Sequence, residues 1–491
     1  MNPRLFAGCA AAAALLAGAR LLWATLQSPF ANGWDSYYFL AQFRSLWETG
    51  RFHTPDANLL YALLAPVYVV TGDAVLAYKL VLAASAAALI AGIITLGRRL
   101  DAGPIIALAA GIWAALSPTL TFLAFQFPRQ WIGFALLVWC LYGLHRGDRR
   151  IWVPTLIAAF FVHRLAAAVG LAALATVGVA RFRDRRAIWV GLAVLTVLAV
   201  ASTVIPGVLN VRDWERLADT FQATPQWPPA AILDWLRRDF VPDAWAVELH
   251  AAYVILAAGA GATTVRLVRL RPRPWFAWGI SVAAFAAACP FFVVDGESAG
   301  YRLILVALGA SPLVAAILLG NASPPTAATA GGVLIAGSLS CAALVPPPTA
   351  YDPPYRRYAA IADAAVALWD GDAPELIVAH KGLAELTTFR TGIPAMSWEP
   401  EPTLDPTRTW RIAADIDAWE IMDVLGDRAD PQPKRLPGVH AWVREDVWRA
   451  FRNAAPDDPN QLRTRAWSAA NPSRPRPAFL CRDRSEIRCA R

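Results

Sequence analysis

Apolar residues in this chain come in blocks of roughly 20, the length that crosses a bilayer as a helix, separated by short polar and basic connections. The blocks cover about residues 5–27, 74–97, 104–123, 128–144, 151–180, 187–206, 249–265, 275–294, 301–320 and 327–346. The stretch 151–180 is too long for one straight span and is interrupted by His163-Arg164. It reads as two short helices meeting at a polar corner, which brings the expectation to about 11 membrane segments. The first block is read as a retained anchor, because no small-residue cleavage site stands before the polar loop that follows it.

Between the blocks lie three longer polar regions. In residues 28–73, Phe39, Leu40, Phe43, Leu46 and Trp47 recur at helical spacing and predict an amphipathic helix from Ser36 to Glu48. Leu59 to Val70 is apolar but too short to span, and it suits a helix lying in the interface. Residues 207–248 hold Trp214, Trp227, Trp235 and Trp245, a density expected at headgroup level. The prolines at 346–348 and 353–354 then introduce a tail, 347–491.

That tail predicts a small α/β domain. Strands are expected at 375–380, 395–398 and 410–414, helices at Lys381–Arg390 and Asp417–Leu425, and irregular chain over the last thirty or so residues. The fold class is therefore an α-helical polytopic membrane protein, with residues 1–346 in the membrane part and a soluble extracytoplasmic domain after it.

Composition agrees with the patterning. Hydrophobic residues make up 57% of the chain against 17% charged, with mean hydropathy +0.40, which excludes a soluble enzyme of this length. The basic clusters Arg98-Arg99, His145 to Arg150, Arg181 to Arg186 and Arg266 to Arg273 all fall on one side of the alternating blocks. The positive-inside rule makes that side cytoplasmic. The protein then sits in the cytoplasmic (inner) membrane with its amino terminus on the cytoplasmic side and residues 28–73 and 347–491 outside. Formal charge is +9 over residues 1–350 and −1 over 351–491, so the excess belongs to the membrane loops and implies no nucleic-acid partner. Cys481 and Cys489 stand on the oxidising side, where a disulfide between them would close a short loop.

Candidate chemistry gathers on the outer face. Asp35 follows the first block directly, and a carboxylate that close to hydrocarbon costs free energy unless solvated or paired. Arg129, the His163-Arg164 corner, Arg302 and Lys79 are expected near the same surface. Cations there suit a polyprenyl-phosphate sugar, whose tail lies in the bilayer and whose phosphate lies at the headgroups. Asp35 could remove the proton from an acceptor hydroxyl as it attacks the sugar carbon, in an inverting transfer. Plainer accounts compete: snorkelling for Arg129, a local ion pair with Asp295 or Glu297 for Arg302, and a simple loop carboxylate for Asp35. Tyr37, Tyr38 and Asp56 are further loop or acceptor-side candidates; His53 and Asp56 lack a third ligand, so no metal site is expected.

Trp34-Asp35-Ser36-Tyr37-Tyr38-Phe39-Leu40-Ala41 with Thr49-Gly50, then Leu60 to Leu64 through Thr71-Gly72-Asp73, Lys79-Leu80 and Arg98-Arg99-Leu100, resembles the first-loop pattern of the GT-C superfamily. These are membrane-embedded glycosyltransferases that include protein O-mannosyltransferases and lipid A aminoarabinose transferases. Ser117-Pro118, the corner at His163-Arg164 and Tyr301-Arg302 are similar to later features of that family. The resemblance covers about residues 1–345. It implies a GT-C-like fold, Asp35 as catalytic base, and His163, Arg164 and Arg302 as binders of the lipid phosphate, with a lipid, glycan or protein acceptor. Thr54-Pro55-Asp56-Ala57 departs from the Pro-Pro pair of many members, and Arg129-Gln130 stands where many have an acidic residue. A metal-independent reaction is the expectation that follows. Two rival classes remain: a transporter or flippase for a polyprenyl-linked glycan, and an inactive scaffold whose tail binds a periplasmic partner.

Overall fold

The computed structural model describes residues 1–31, 33, 35–52, 56–180, 193, 196, 200, 220–236, 245–268, 275–294, 300–320, 323–344, 355–356, 358–359, 362, 376–379, 381–392, 395–397, 410–415, 439–441 and 477–480. Helices run α1 Pro3–Leu26, α2 Ser36–Thr49, α3 Leu59–Thr71, α4 Ala74–Arg99, α5 Pro104–Leu116, α6 Pro118–Gln126, α7 Pro128–Arg146, α8 Arg149–Val162 and α9 Arg164–Ala180. They continue with α10 Pro228–Leu236, α11 Ala246–Val268, α12 Trp275–Ala286, α13 Gly300–Gly309, α14 Ser311–Leu319, α15 Pro324–Leu344 and α16 Lys381–Thr391. The chain divides into two compact units, one of Met1–Ser28 with Pro55–Ala350, the other of Pro29–Thr54 with Tyr351–Arg491. The polar loop 28–73, which the sequence assigns whole to the membrane part, is thus split: α2 groups with the tail and α3 with the membrane helices.

In the first unit, α1, α4 and residues Ala246–Arg266 of α11 are long and apolar enough to cross a membrane. Among the described residues, the bent pairs α5/α6 and α13/α14 raise the number to five if each is one span. The other apolar blocks are helical too, except the expected segment 187–206, nearly all of which lies outside the described residues. The unit is a helical membrane protein by these features. On α1 the large residues Leu15, Leu16 and Trp23 are exposed, as lipid-facing side chains are. The opposite side of α1 packs on α4 through small residues: a methyl on Gly18 would lie 2.9 Å from the Ala83 carbonyl oxygen. Side chains at the loop ends fix several helix starts, with Asn58 accepting from Leu60 N–H at 2.9 Å and Asp73 from Val75 N–H at 2.8 Å. On α3, Leu63, Val69 and Val70 are left exposed while Leu60, Tyr61 and Leu64 are buried, the arrangement of a helix bedded in an interface.

Two blocks that the sequence presents as continuous are broken. At Ser117-Pro118 the axis turns by 50°. Proline disfavours helical torsions in the residue before it, and Ser117 adopts φ −57°, ψ 122° while its hydroxyl caps α6 by accepting from Leu120 N–H at 3.2 Å. At Ala310 the axis turns by 42°, with Pro312 in the opening turn of the second helix. The corner at His163 is a true interruption, as the polar pair in an apolar run requires.

The first break is sealed by two polar side chains from other helices. Arg20 of α1 donates from Nη1 to the Ala115 carbonyl at 2.9 Å, satisfying an acceptor at the end of α5. Glu248 of α11 accepts from the Thr119 N–H and hydroxyl, both at 3.0 Å, satisfying donors at the start of α6. Trp245, expected near headgroups, is instead buried here and donates from Nε1 to Thr119 Oγ1 at 2.8 Å.

In the second unit, β1 Leu376–Ala379, β2 Ala395–Ser397, β3 Trp410–Asp415 and β4 Val439–Ala441 form a parallel sheet ordered β2-β1-β3-β4. Residues Pro477–Leu480, in the stretch expected to be irregular, form β5, antiparallel to β3 and pairing Ile412 with Leu480 and Asp415 with Pro477. α16 links β1 to β2, as a parallel crossover requires. The helix expected at Asp417–Leu425 and the pair Cys481–Cys489 lie outside the described residues. α2 packs on α16, with Tyr37 5.0 Å from the Tyr355 ring and 5.5 Å from Phe389. Arg44 donates to the Phe389 carbonyl and pairs with Glu48 at 2.7 Å. Trp47, placed by period on the buried stripe of α2, is exposed because that stripe ends at Phe43.

Candidate functional site

Four of the predicted residues come together in the first unit. His163 ends α8 and begins α9: its N–H donates to Ala159 at 2.7 Å and its carbonyl accepts from Ala166 N–H at 3.0 Å. The guanidinium groups of Arg302, Arg129 and Arg164 all act on its imidazole through charge. A glycine is needed opposite, since a methyl on Gly133 of α7 would lie 2.7 Å from His163 Cβ.

Arg129 is held rather than snorkelling freely. Its Nε donates to the Val162 carbonyl at 3.0 Å, the last acceptor before the corner, and its Nη1 stands 3.6 Å from Asp56 Oδ1. Asp56 is buried and accepts from the Tyr61 hydroxyl at 2.7 Å. Arg302 Nε donates to the Tyr301 hydroxyl at 2.8 Å, and Tyr301 is packed between Phe127 and Trp235, with ring centroids at 5.6 and 4.4 Å. The acidic residues Asp295 and Glu297, named as rival partners for Arg302, lie outside the described residues.

Beside this cluster runs a cavity of about 750 Å³. One face of α7 lines it from Gln130 through Phe134, Leu137 and Leu141 to His145, and α9, α12 and α13 supply the other walls. At 1.5 Å per residue that face is roughly 22 Å long. Its polar end carries Gln130 and His163; the middle is apolar; at the far end His145 meets Phe276 at a tilt, 5.1 Å between ring centroids. Arg129, Arg164 and Arg302 are chain neighbours of the lining residues Gln130, His163 and Leu303 and do not line the cavity themselves; its apolar middle suits an alkyl or prenyl chain.

The remaining candidates are placed elsewhere or given internal partners. Asp35 belongs to the second unit, where it heads α2 at φ −103°, ψ 2°, partly exposed; its carbonyl, not its side chain, serves the helix by accepting from Phe39 N–H at 3.3 Å. Tyr37 is 3% exposed and wedged among aromatic rings, and its hydroxyl accepts from Ala31 N–H at 3.3 Å. Tyr38 is partly exposed and meets Phe39 edge-on. Lys79 is buried on α4 and donates to the Ser28 carbonyl at 2.5 Å, tying down the exit of α1. His53 lies outside the described residues, and among those described no three His, Cys, Asp or Glu side chains gather to hold a metal ion.

Gln130, Glu248 and Arg20 were not singled out from sequence. Glu248 carried a legible signal, an acid in the first turn of an apolar helix. Gln130 carried none beyond following Arg129.

No family model matches the chain, and no curated protein sequence does. The structure is similar to a solved mycobacterial protein described as arabinofuranosyltransferase AftD, at 16% identity and a TM-score of 0.49, over 77% of this chain and 29% of that one. The chain therefore spans less than a third of that protein's length, and a likeness at this level shows neither family nor activity.

Proposed function

We propose that this protein is a membrane glycosyltransferase that takes a sugar from a polyprenyl-phosphate donor and passes it to an acceptor hydroxyl at the outer face of the cytoplasmic membrane. The observation that carries the reading is the convergence of Arg129, Arg164, Arg302 and His163 on the start of α9, beside an apolar cavity about 750 Å³ in volume. Guanidinium groups bind phosphate through charge-assisted hydrogen bonds, and a helix N-terminus favours the same charge. A prenyl chain is the matching occupant for the apolar walls.

Asp35 is assigned as the base, on its place after the first membrane segment and on the resemblance of the surrounding sequence. In the transfer, the acceptor oxygen forms a bond to the anomeric carbon with inversion, and its proton goes to the Asp35 carboxylate. The bond from that carbon to the phosphate oxygen breaks, leaving polyprenyl phosphate on the cations. With full-length protein in liposomes, Asp35→Asn is expected to lose transfer from a polyprenyl-phosphate sugar while still binding the donor. Undiminished transfer by that variant removes Asp35 as the base.

A second reading, a flippase for a polyprenyl-linked glycan, gains from the two bent pairs beyond the His163 corner, since discontinuous helices are frequent in transporters. It loses from the sealing of the Ser117 break by Arg20 and Glu248, which leaves that break's end groups internally paired. Release of polyprenyl phosphate from a purified donor separates the two, because a flippase leaves the donor bond intact.

A further inference from the structure

Asp35 stands in a turn whose backbone is held from the tail. Tyr355, directly after Pro353-Pro354, meets that turn at three places. Its hydroxyl donates to the Gly33 carbonyl. Its ring stacks on Phe30, with centroids 5.8 Å apart, and packs at a tilt on Tyr37, with centroids 5.0 Å apart. The chain thus passes around one aromatic ring between residues 30 and 37, and Asp35 falls inside that interval. The same Gly33 carbonyl accepts from Ser36 N–H at 3.4 Å, which makes Asp35 the third residue of a closed four-residue turn. Its torsions, φ −103° and ψ 2°, are those a type I turn takes at this position.

Burial separates what is held from what is offered. Ala31, Gly33, Ser36, Tyr37 and Tyr355 are all buried, while Asp35 between them is partly exposed. Gly33 adopts φ 107°, where a residue with a Cβ is strained, so the turn has a shape that its own sequence favours only weakly. A second bond ties the turn to α2, since the Tyr37 hydroxyl accepts from Ala31 N–H at 3.3 Å. Farther along α2, Arg44 donates to the Phe389 carbonyl of α16. These contacts are made by backbone and neighbouring rings, and they fix the point from which the Asp35 side chain leaves the chain.

We propose that Tyr355 is a positioning residue for Asp35: by holding the Gly33 carbonyl and the Phe30 and Tyr37 rings, it sets the backbone from which the carboxylate reaches the acceptor hydroxyl. The inference rests on the reading of Asp35 as the base and adds to it a part for the tail in the transfer step itself. Misplacing a catalytic group by about 1 Å costs on the order of 100-fold in rate. The effect therefore falls on kcat, and the donor KM stays as it is because the phosphate is assigned to other groups.

The test measures release of farnesyl phosphate by the full chain in nanodiscs. Donors are farnesyl phosphate carrying glucose, mannose, galactose or ribose; acceptors are methyl glucoside and water. Wild-type protein is expected to use at least one donor, and Asp35→Asn to lose that activity. Tyr355→Ala should lower kcat about 100-fold and leave the donor KM within about two-fold. Tyr355→Phe keeps the ring and loses the hydrogen bond, and should lower kcat about five-fold. Neither change should lower the residual rate of Asp35→Asn further, because a residue that acts through Asp35 then has nothing left to act on. A purely structural role gives the same fold-loss with and without Asp35, and that result overturns the proposal. Wild-type kcat in Tyr355→Ala overturns it too, whatever the KM, while the reading of Asp35 stands. If Tyr355→Ala does not fold, Tyr355→Phe in the two backgrounds decides by the same pattern. Full activity of Asp35→Asn, or no release by wild-type protein from any donor, strikes the reading of the site itself, and the inference falls with it.

Discussion

Two interrupted helices in the first unit begin alike and end differently. At the end of α5 the Ala115 carbonyl is taken by Arg20, and at the end of α8 the Val162 carbonyl is taken by Arg129. The second halves diverge. α6 opens onto the carboxylate of Glu248, whereas α9 opens among Arg164, Arg302 and Arg129. A helix N-terminus is the positive end of its dipole; at α6 its donors are met by an acceptor of the fold, whereas at α9 guanidinium groups stand beside it. The cavity lies against α9 and is lined by His163. An interruption in a membrane helix is therefore not a site by itself. In the proposed reading, the three guanidinium groups gathered at the α9 break are what mark it as the anion-binding end.

The sharpest way to break this comparison is to give α9 what α6 already has. Arg164→Glu removes a cation and supplies a carboxylate at the start of α9, and it should weaken farnesyl phosphate binding on the order of 100-fold or more. Isothermal titration in nanodiscs reads this; unchanged affinity would mean that the cluster does not bind phosphate. The reverse experiment acts on α6. Glu248→Ala leaves the Thr119 N–H and hydroxyl without their acceptor and should lower stability by ~1–3 kcal/mol, seen as a lower apparent Tm in detergent, with phosphate affinity unaltered. An affinity loss as large as that of Arg164→Glu would erase the distinction between the two breaks. The smallest effect is expected at Asp56, the one carboxylate described beside Arg129. Asp56→Asn retains an acceptor for the Tyr61 hydroxyl and removes a negative charge near the cations, so farnesyl phosphate should bind a few-fold more tightly.

Much of this architecture was legible from local pattern. The caps at Asn58 and Asp73, the glycine ends at Gly50 and Gly72, and the strand and helix from Leu376 to Thr391 follow from spacing and end chemistry that act over a few residues. The His163 corner was visible because two polar residues cannot continue an apolar run unnoticed. The bends at Ser117 and Ala310 were passed over, since hydropathy stays high through them and proline in a membrane helix does not by itself declare a turn. Among the candidate site residues, Arg129, Arg164, Arg302 and His163 stand out in the sequence as polar or charged groups near hydrocarbon. Gln130 does not, because an uncharged amide after an arginine is ordinary until it is seen to line the cavity and donate to the Arg302 carbonyl.

The sequence alone determined which segments are apolar, where most helices start and stop, and which cations stand at the ends of membrane helices, because each depends on neighbours along the chain. Only the tertiary structure decided how those charges are spent. It used Arg20 and Glu248 to close one break, Lys79 to hold the Ser28 carbonyl, and Asp56 to steady Arg129, and it grouped α2 with the tail domain rather than with the membrane helices. The physical reason is range: hydropathy and capping act within a helical turn or two. Whether a buried charge or amide is satisfied depends on partners that stand 33 to 172 residues away in the chain.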